Sequence, residues 1–250
     1  MNPDLLILSA TSVEAASFLT QCPAVSTRSI RAGQAIIAGN IGSVAFDLLI
    51  TGPGVFNAVH ALTAYLAETQ YNAKPDLIVQ IGIAGVFNQT SLTIGDIAIA
   101  TGEYYIHTGV ESDSVQNDPL PFDLIETDPK SRIGFYSFDP HRVDPLHAIL
   151  SREGKEKGIA VGKAPFVTVS TITASLDTAN QLYTAFSPVM EAMEGAASAH
   201  VARLYDIPMV EVRAASNIVG ERDRTRWDID LAVKHMAWAC VSMFKENNPV

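Results

Sequence analysis

Residues 44–66 read VAFDLLITGPGVFNAVHALTAYL, and this stretch holds a predicted strand, a turn and a predicted helix in immediate succession. Residues 44–51 are mostly apolar at successive positions, which is typical of a strand covered on both faces. Gly52-Pro53-Gly54 then predicts a tight turn. A helix that ends near Tyr71 is expected after it, because apolar side chains recur on one stripe, at Val55, Val59, Leu62 and Leu66.

The same order of elements recurs along the chain. Other short apolar runs lead into turns or helical patterns at residues 5–9, 77–83, 95–101, 166–170 and 208–212. Helical patterns lie at residues 12–19, 145–157, 178–186, 193–205 and 229–245. Strands that alternate with helices predict an α/β protein with a largely parallel sheet. Residues 33–52 look instead like a hairpin that turns at residues 39–42, so we expect a three-layer α/β/α sandwich with a mixed, twisted central sheet.

Length and patterning predict one domain, residues 1–250, since a single core keeps growing to roughly 250 residues before chains tend to divide. Residues 111–141 are rich in Asp, Pro and Ser with little periodicity, and they predict a long excursion over the surface. Long loops of this kind in compact domains are often binding loops or lids.

Charge and composition exclude several classes of partner. The chain has 17 Lys and Arg against 27 Asp and Glu, a net charge of −10, and so lacks the basic field that nucleic-acid binding needs. Residues 48–67 carry no charge but contain Gly, Pro, Asn and His, which favours a soluble strand, turn and helix over a membrane span. Cys22 and Cys240 are far apart and predict buried, unpaired thiols. With no secretory pattern at the N-terminus, we expect a cytoplasmic protein.

Polar residues that follow the apolar runs are the first candidates for a site, because ligands of open α/β sheets bind beyond the carboxyl ends of the strands. Glu14 follows the first run, where it could equally be a favourable charge in the first turn of a helix. The turn at Gly52–Gly54 could contact a ligand or only connect strand to helix. Gly82-Ile83-Ala84-Gly85 would let a ligand approach the backbone, although packing alone could require such small residues.

Two later stretches add polar groups. Glu191 and Glu194 stand among small apolar residues, which favours a site over a solvated surface. Ser216 and Asn217 end a buried strand and could bind a ligand or form a simple Asx-turn. Beyond them come three arginines and an aromatic residue that could form an anion clamp or a solvated face: Arg222, Arg224, Arg226 and Trp227.

Other motif classes are absent from the sequence. Gly52-Pro53-Gly54 resembles part of a dinucleotide fingerprint, but Asn57 replaces its third glycine and Asp76 begins a strand instead of ending one. There is no nucleophile elbow, no HExxH zinc site, no Walker loop and no close His or Cys pair. We therefore expect neither a cofactor nor a metal. Taken singly, no motif decides the function.

Taken together and in order, these stretches resemble the nucleoside phosphorylase and nucleosidase family, over nearly the whole chain. The resemblance is strongest at residues 82–85, 95–97, 193–197 and 212–217. It implies a small-molecule nucleoside substrate and a homo-oligomer. Glu194 matches the family glutamate that binds the ribose hydroxyls, and its charge suits an oxocarbenium-like transition state. Met193 would pack on the sugar.

The resemblance also implies which nucleophile attacks. Glu14 matches the acidic residue that activates water in the nucleosidases. Phosphorylases of the family use arginines for phosphate, one of them at the position that aligns with Gln80. A neutral glutamine cannot replace that charge. The sequence therefore favours water.

Asn217 stands where adenine-releasing members have aspartate. Its amide offers one donor and one acceptor, which fits O6 and N7 of a 6-oxopurine. The members that match best at residues 216–227 act on a nucleoside with a carboxyphenyl 5′ extension, for which Arg222, Arg224 or Arg226 with Trp227 would bind the carboxylate and Phe56 and Tyr105 would form walls. The other residues expected to contact substrate are Gly82, Ile83, Ala84, Ile172, Thr173 and Ser216.

Two alternatives remain open at this stage. A purine nucleoside phosphorylase for 6-oxopurine nucleosides would share Asn217 and Glu194. A nucleoside-binding protein without turnover would keep the fold, although the presence of both Glu14 and Glu194 counts against it.

Overall fold

The computed structural model describes residues 3–22, 24–30, 33–68 and 74–245. The strands are β1 (Leu5–Ser9), β2 (Ser26–Ser29), β3 (Ala35–Ile41), β4 (Val44–Ile50), β5 (Leu77–Val86), β6 (Ile97–Tyr105), β7 (Phe135–Ser137), β8 (Val161–Thr168), β9 (Met190–Ala192) and β10 (Met209–Ile218). The helices are α1 (Ser12–Gln21), α2 (Val55–Glu68), α3 (Pro140–Lys157), α4 (Leu176–Phe186), α5 (Gly195–Leu204) and α6 (Ile229–Met243), with short 3₁₀ helices at Pro129–Ile133 and Arg224–Arg226.

All ten strands belong to one mixed sheet, as expected from the sequence. β1 pairs in parallel with β4 and β5, and β3 continues antiparallel from β4. β5 also pairs in parallel with β10 and antiparallel with β9. Because β10 pairs with β6, β6 with β8 and β8 with β9, these strands and β5 close into a ring of five. The sequence patterns did not predict this closure.

Helices cover both faces of the sheet. α1, α3 and α6 pack together on one side, and α2 and α5 pack against each other on the other. Strand residues buried on both sides form the main core, among them Leu6, Ile7, Val79 and Val210. α4 packs on a smaller apolar cluster with Phe87 and Val219. The three-layer α/β/α prediction is confirmed.

The hairpin of residues 33–52 is present, but its turn differs from the prediction. β3 runs through Ile41, and the connection to β4 is the two-residue turn Gly42-Ser43, with Gly42 at φ 59°. Gly39 lies inside β3 instead of in the turn. A Cβ at position 39 would stand only 2.6 Å from Cζ of Phe46, so the ring leaves room for glycine alone. The outer strand β2 was not predicted, because its four residues are polar and exposed.

Two central strands are longer than predicted. β5 continues to Val86 and β10 to Ile218, so Gly85 lies within its strand instead of after it, and Asn217 stands one residue before the end of β10. The register of β10 against β5 shifts between Ala215 and Asn217, which makes Ser216 the extra residue of a β-bulge. A bulge changes the direction in which side chains point, and this one lies at the candidate site.

The surface excursion is shorter than the predicted 111–141. It contains the 3₁₀ helix Pro129–Ile133, β7 pairs with β6 over Phe135–Ser137, and α3 already begins at Pro140, capped by Asp139. Pro145 lies inside α3 and does not begin it. Cys22 and Cys240 are buried and unpaired, as predicted. The predicted end of α2 near Tyr71 lies outside the described residues.

In the part of the chain that the structure describes, none of the helices has the length and apolar character needed to cross a membrane.

Candidate active site

A cavity of about 360 Å³ lies where β1, β5, β9 and β10 end. Its lining residues come from seven separate stretches of the chain, which is why no single motif defines it. Ten of the residues predicted from the sequence line it: Glu14, Ile83, Ala84, Ile172, Met193, Glu194, Ser216, Asn217, Arg222 and Trp227.

Glu14 is held at the cavity by the start of α1. Thr11 caps the helix through a capping box, in which its hydroxyl accepts from the Glu14 backbone N–H. The Glu14 carboxylate accepts in return from the backbone N–H and hydroxyl of Thr11, each at 3.0 Å, and from the N–H of Ile83 at 3.1 Å. Glu14 thus caps its helix, as its position first suggested, and also presents a fixed carboxylate to the cavity.

Glu194 stands between β9 and α5 and is only 4% exposed. One carboxylate oxygen accepts from the backbone N–H of Gly54 at 2.9 Å, and the other accepts from Nη2 of Arg213 at 3.0 Å. Gly54 has φ 88°, a conformation that glycine adopts without strain. The Gly52-Pro53-Gly54 turn is therefore both a tight strand-to-helix connection and a direct support of Glu194, and Pro53 lines the cavity.

Arg213 connects several groups at this end of the cavity through its hydrogen bonds. It is 1% exposed, and its guanidinium donates to Glu211, to Glu194 and to the carbonyl of Ile83. Gly82 lies beneath it, where a Cβ would stand 2.7 Å from Arg213 Nη1 and 2.9 Å from Glu14 Oε1. The small residue predicted at position 82 is required by these side chains of the site, and it is not a residue that lines the cavity.

Asn217 lies at the opposite end of the cavity, next to the bulged Ser216. Its Oδ1 accepts from the Ser216 hydroxyl at 2.9 Å, and its Nδ2 donates to the carbonyl of Ile218 at 3.1 Å. The Ser216 hydroxyl is also within 3.2 Å of the carbonyl of Ala84. Each side of the amide keeps one further hydrogen-bonding position, a second N–H and a second lone pair.

Glu191 and Asn217 stand on either side of one glycine of β5. Both residues pair with Gly85 of β5, Glu191 from β9 and Asn217 from β10, so their side chains share one face and flank the glycine. The backbone N–H of Thr173 donates to Glu191 at 3.1 Å, and the Thr173 hydroxyl donates to its other oxygen. Burial raises the pKa of Glu191, while the bonds from Thr173 and the charge of Arg222 act against this rise. Thr173, predicted to contact substrate, is not among the residues that line the cavity and instead supports Glu191.

The mouth of the cavity carries stacked cations. The Arg222 guanidinium lies 5.1 Å from the centroid of the Trp227 ring, and that of Arg224 lies 5.8 Å from it. Arg222 and Trp227 line the cavity, whereas Arg224 lies outside it and Arg226 pairs with Glu221. Of the three arginines proposed from the sequence, Arg222 is the one that lines this cavity.

Three predicted residues lie elsewhere. Phe56 and Tyr105 line a neighbouring apolar groove of about 740 Å³ between α2 and α5, and Phe56 is 88% exposed because it points outward from the first turn of α2. Gln80 is fully buried behind the site, where its Oε1 accepts from the Ser198 hydroxyl at 2.8 Å. It therefore does not stand at a position where a charged side chain would hold phosphate within this cavity.

Sequence reasoning did not assign roles to Arg213 and Glu191. A signal for Arg213 was available, since residues 209–215 are apolar apart from Glu211 and Arg213. Two opposite charges at alternate positions of a buried strand lie on one face and are expected to pair. Glu191 is a site candidate from its apolar neighbours, but its position opposite Asn217 depends on which strands pair through Gly85, and the sequence does not show this pairing.

Comparison with known proteins gives matches over most of the chain. A family model described as the phosphorylase superfamily matches residues 4–245. A curated relative, futalosine hydrolase from Streptomyces coelicolor, is 30% identical over 232 residues, which cover 92% of this chain and 90% of that protein. A 5′-methylthioadenosine/S-adenosylhomocysteine nucleosidase from Chromohalobacter salexigens is 26% identical, covering 86% of this chain and 85% of that protein.

Solved structures show the same fold. S-adenosylhomocysteine nucleosidase from Streptococcus pyogenes, in complex with 5-methylthiotubericidin, superposes with a TM-score of 0.79 at 23% identity, covering 100% of this chain and 98% of that chain. The 5′-methylthioadenosine/S-adenosylhomocysteine nucleosidase from Neisseria meningitidis, in complex with methylthio-immucillin-A, gives 0.78 at 18% identity, covering 96% and 97%.

Proposed function

The chain belongs to the phosphorylase superfamily, and on that premise we propose that its cavity hydrolyses the N-ribosidic bond of futalosine, a step of menaquinone biosynthesis. The products would be hypoxanthine and dehypoxanthine futalosine. The curated relatives are nucleosidases, which are hydrolases of this bond type, and futalosine hydrolase is among them at 30% identity.

The pairing of Asn217 and Glu191 across Gly85 carries the choice of base. A 6-oxopurine presents an acceptor at O6 and a donor at N1–H, whereas a 6-aminopurine presents a donor at position 6 and an acceptor at N1. The free N–H of Asn217 can donate to O6, and its Oδ1 can accept from N7 when that atom is protonated. A Glu191 carboxylate facing N1 would accept from N1–H of hypoxanthine but would repel N1 of adenine. This complementarity favours a 6-oxopurine.

The cations of the cavity favour water as the nucleophile. Among the described residues that line the cavity, the cationic side chains are Arg213 and Arg222. Arg213 is already bound to Glu211 and Glu194, and Arg222 faces Glu191 and stacks on Trp227. A phosphate dianion at the Glu14 end would meet a carboxylate and no unpaired cation among these residues, so water is the better co-substrate.

Each site residue then has a chemical task. Glu14 accepts the proton of the attacking water as general base. Glu194 accepts from the ribose hydroxyls and stabilises the positive charge that develops on the sugar, and Met193 packs against it. Asn217 stabilises the purine as it leaves, but an amide cannot serve as the general acid. Arg222 and Trp227 receive the carboxyphenyl end of the substrate.

The exposed groove beside Phe56 supports a homo-oligomer. Its lining is apolar and includes Val55, Val59 and Ala197, and it adjoins the site through the first turns of α2 and α5. Large apolar patches on a soluble protein mark interfaces. A second copy seated there would bury Phe56 close to the 5′ end of the substrate.

A substrate panel tests this function. The protein is incubated with futalosine, inosine and methylthioadenosine, with and without phosphate, and the released base is quantified. Hypoxanthine from futalosine without phosphate is the expected result. A requirement for phosphate would assign a phosphorylase, adenine from methylthioadenosine would assign the other nucleosidase group, and release of no base would leave a binding protein.

A further inference from the structure

Two buried glutamates stand behind the cavity, outside the groups that would touch substrate. Glu103 lies on β6 and Glu211 on β10, and both are 0% exposed. Glu103 Oε2 accepts from the Thr168 hydroxyl at 2.7 Å, and Glu211 Oε1 accepts from Arg213 Nε at 2.8 Å. The remaining oxygen of each has no hydrogen-bond donor among the described residues. An unpartnered buried carboxylate oxygen is costly, so these two atoms need an explanation.

The two unpartnered oxygens face each other. Both converge on the space in front of Gly195 Cα, where a Cβ would overlap Glu103 Oε1 and Glu211 Oε2 together. Two ionised carboxylates in such contact without solvent repel strongly, and one proton between them converts the repulsion into a hydrogen bond. Burial, followed by the neighbouring Glu211 carboxylate, raises the pKa of Glu103 well above its ordinary value.

This pair is linked to the site in two ways. Glu211 holds Arg213, whose Nη2 holds Glu194. Glu103 holds the Thr168 hydroxyl, and this hydroxyl accepts from the backbone N–H of Ala196 at 2.8 Å. Ala196 lies in the first turn of α5, two residues after Glu194. The same two carboxyl groups thus support Glu194 through its partner and through its backbone.

We propose that Glu103 and Glu211 share a single proton and act as a positioning pair that fixes Arg213, and through it Glu194, in the geometry that binds ribose. The role of Glu194 in this statement rests on the proposed function, whereas the shared proton does not. The charged groups that face the pair are Arg213 of β10 and, beyond it, Glu194 before α5 and Glu14 of α1. β8 contributes the Thr168 hydroxyl and α5 contributes Gly195.

The sign of the pH dependence follows from the raised pKa of Glu103. The shared proton is present below that raised value, and the stability that it contributes is lost as the pH rises through it. Glu103→Gln replaces the protonated carboxyl by an amide, whose N–H does not titrate in this pH range. Its Nε2 would donate to Glu211 Oε2 while its carbonyl accepts from Thr168. Glu211→Gln is the converse replacement, with Arg213 Nε donating to the new carbonyl.

The test is a double-mutant cycle followed over pH with three readouts. Thermal stability and the infrared band of a protonated carboxyl need no substrate, and kcat/KM for nucleoside hydrolysis is the third. Each single glutamine variant is expected to stay within about tenfold of the native kcat/KM at neutral pH, to lose the infrared band, and to lose less stability than the native protein as pH rises. The double variant places two neutral amides together and should lose at least about a further tenfold beyond the product of the single effects.

The proposal is overturned if native protein and Glu103→Gln share the same alkaline loss of stability and the same infrared band. The proposal is also overturned if the loss of kcat/KM in the double variant equals the product of the losses in the two single variants. Because either single variant suffices for the spectroscopic comparison, a folding defect in one leaves the other as the test. If no nucleoside is turned over, the infrared and stability results still decide the shared proton.

Discussion

The two ends of the cavity are built differently. At the end proposed to bind the sugar, called the sugar end, both oxygens of Glu194 and both oxygens of Glu14 are held by donors that come from the backbone, from Thr11 or from Arg213. At the end proposed to bind the purine, called the base end, Asn217 follows a bulge and keeps hydrogen-bonding capacity on each side of its amide. A group held from several sides cannot adapt to a different ligand, whereas a group with spare capacity can be exchanged to suit one.

This difference separates two kinds of requirement. In the proposed function, the sugar end would serve the chemical step, which needs preorganised charge. The base end would select among leaving groups. Substitutions at the sugar end should therefore reduce turnover of all substrates, while substitutions at the base end should change their ratio. The following predictions test that division, from the largest effect to the smallest.

Glu14→Ala should give the largest loss, about 10² to 10⁴ in the hydrolysis rate of every nucleoside, because it removes the base that activates water. Binding of free hypoxanthine should persist, since the purine end is unchanged. Single-turnover kinetics and calorimetry with hypoxanthine measure the two effects. Glu156→Ala, an exposed residue of α3, is the matched control. Full activity in Glu14→Ala, or activity restored only by phosphate, would contradict the assignment.

Glu194→Gln should lower kcat/KM by about 10² to 10³ for futalosine and inosine alike, in line with the loss of one electrostatic contact to the transition state. The amide also loses the charge that Arg213 Nη2 binds. Circular dichroism should show an intact fold. A loss confined to one substrate would place Glu194 among the groups that select the base, and near-native turnover would remove it from the site.

Asn217→Asp should change the substrate ratio. An ionised aspartate faces O6 acceptor to acceptor, and leaving such groups unpaired costs about 1–3 kcal/mol. At roughly 1.4 kcal/mol per tenfold, the ratio of kcat/KM for futalosine to that for its 6-amino counterpart should fall by about one to two decades. Asn88→Asp, at an exposed position, is the control. An unchanged ratio would mean that Asn217 does not distinguish the substituent at position 6.

Arg222→Gln should have the smallest effect, raising KM for futalosine about fivefold while leaving inosine unaffected, because an exposed ion pair is worth about 1 kcal/mol or less. The increase should shrink at high salt. Arg224→Gln is a close control, since Arg224 also stacks on Trp227 but lies outside the cavity. If both variants raise KM equally for both substrates, the arginines support the cavity mouth in general and Arg222 does not bind the carboxylate of the substrate.

The sequence predicted the layers and ten of the residues that line the cavity, because both depend on local patterns. Apolar runs gave six strand positions, and polar residues after them gave Glu14 and Glu194. The turn between β3 and β4 was placed too early, since the sequence does not show that Gly39 makes room for Phe46. Closure of the five-stranded ring was missed for a related reason. It depends on β10 entering between β5 and β6, which no local pattern specifies.

The residues that were misplaced teach the same lesson. Phe56 and Tyr105 were predicted as walls of the cavity from their aromatic character, but the outward direction of the first turn of α2 places Phe56 in the neighbouring groove. Gln80 was aligned with a phosphate-binding position, yet its side chain points into the interior. Burial and direction of a side chain depend on packing between distant elements, and residue type alone does not determine them.

The closed ring has a consequence for the order in which the protein can acquire its site during synthesis. β5 leaves the ribosome early, but the strand that supplies Arg213 and Asn217 emerges near the end of the chain. Until it arrives, β5 and β6 lack the partner that joins them, and Glu194 lacks Arg213. Pairings between such distant segments form slowly, and unpaired strand edges are exposed in the interval. A truncated or stalled chain therefore exposes unpaired edges of β5 and β6 and lacks Arg213 and Asn217 of the proposed site. Under the proposed function, activity would itself report that the last strand has entered the ring.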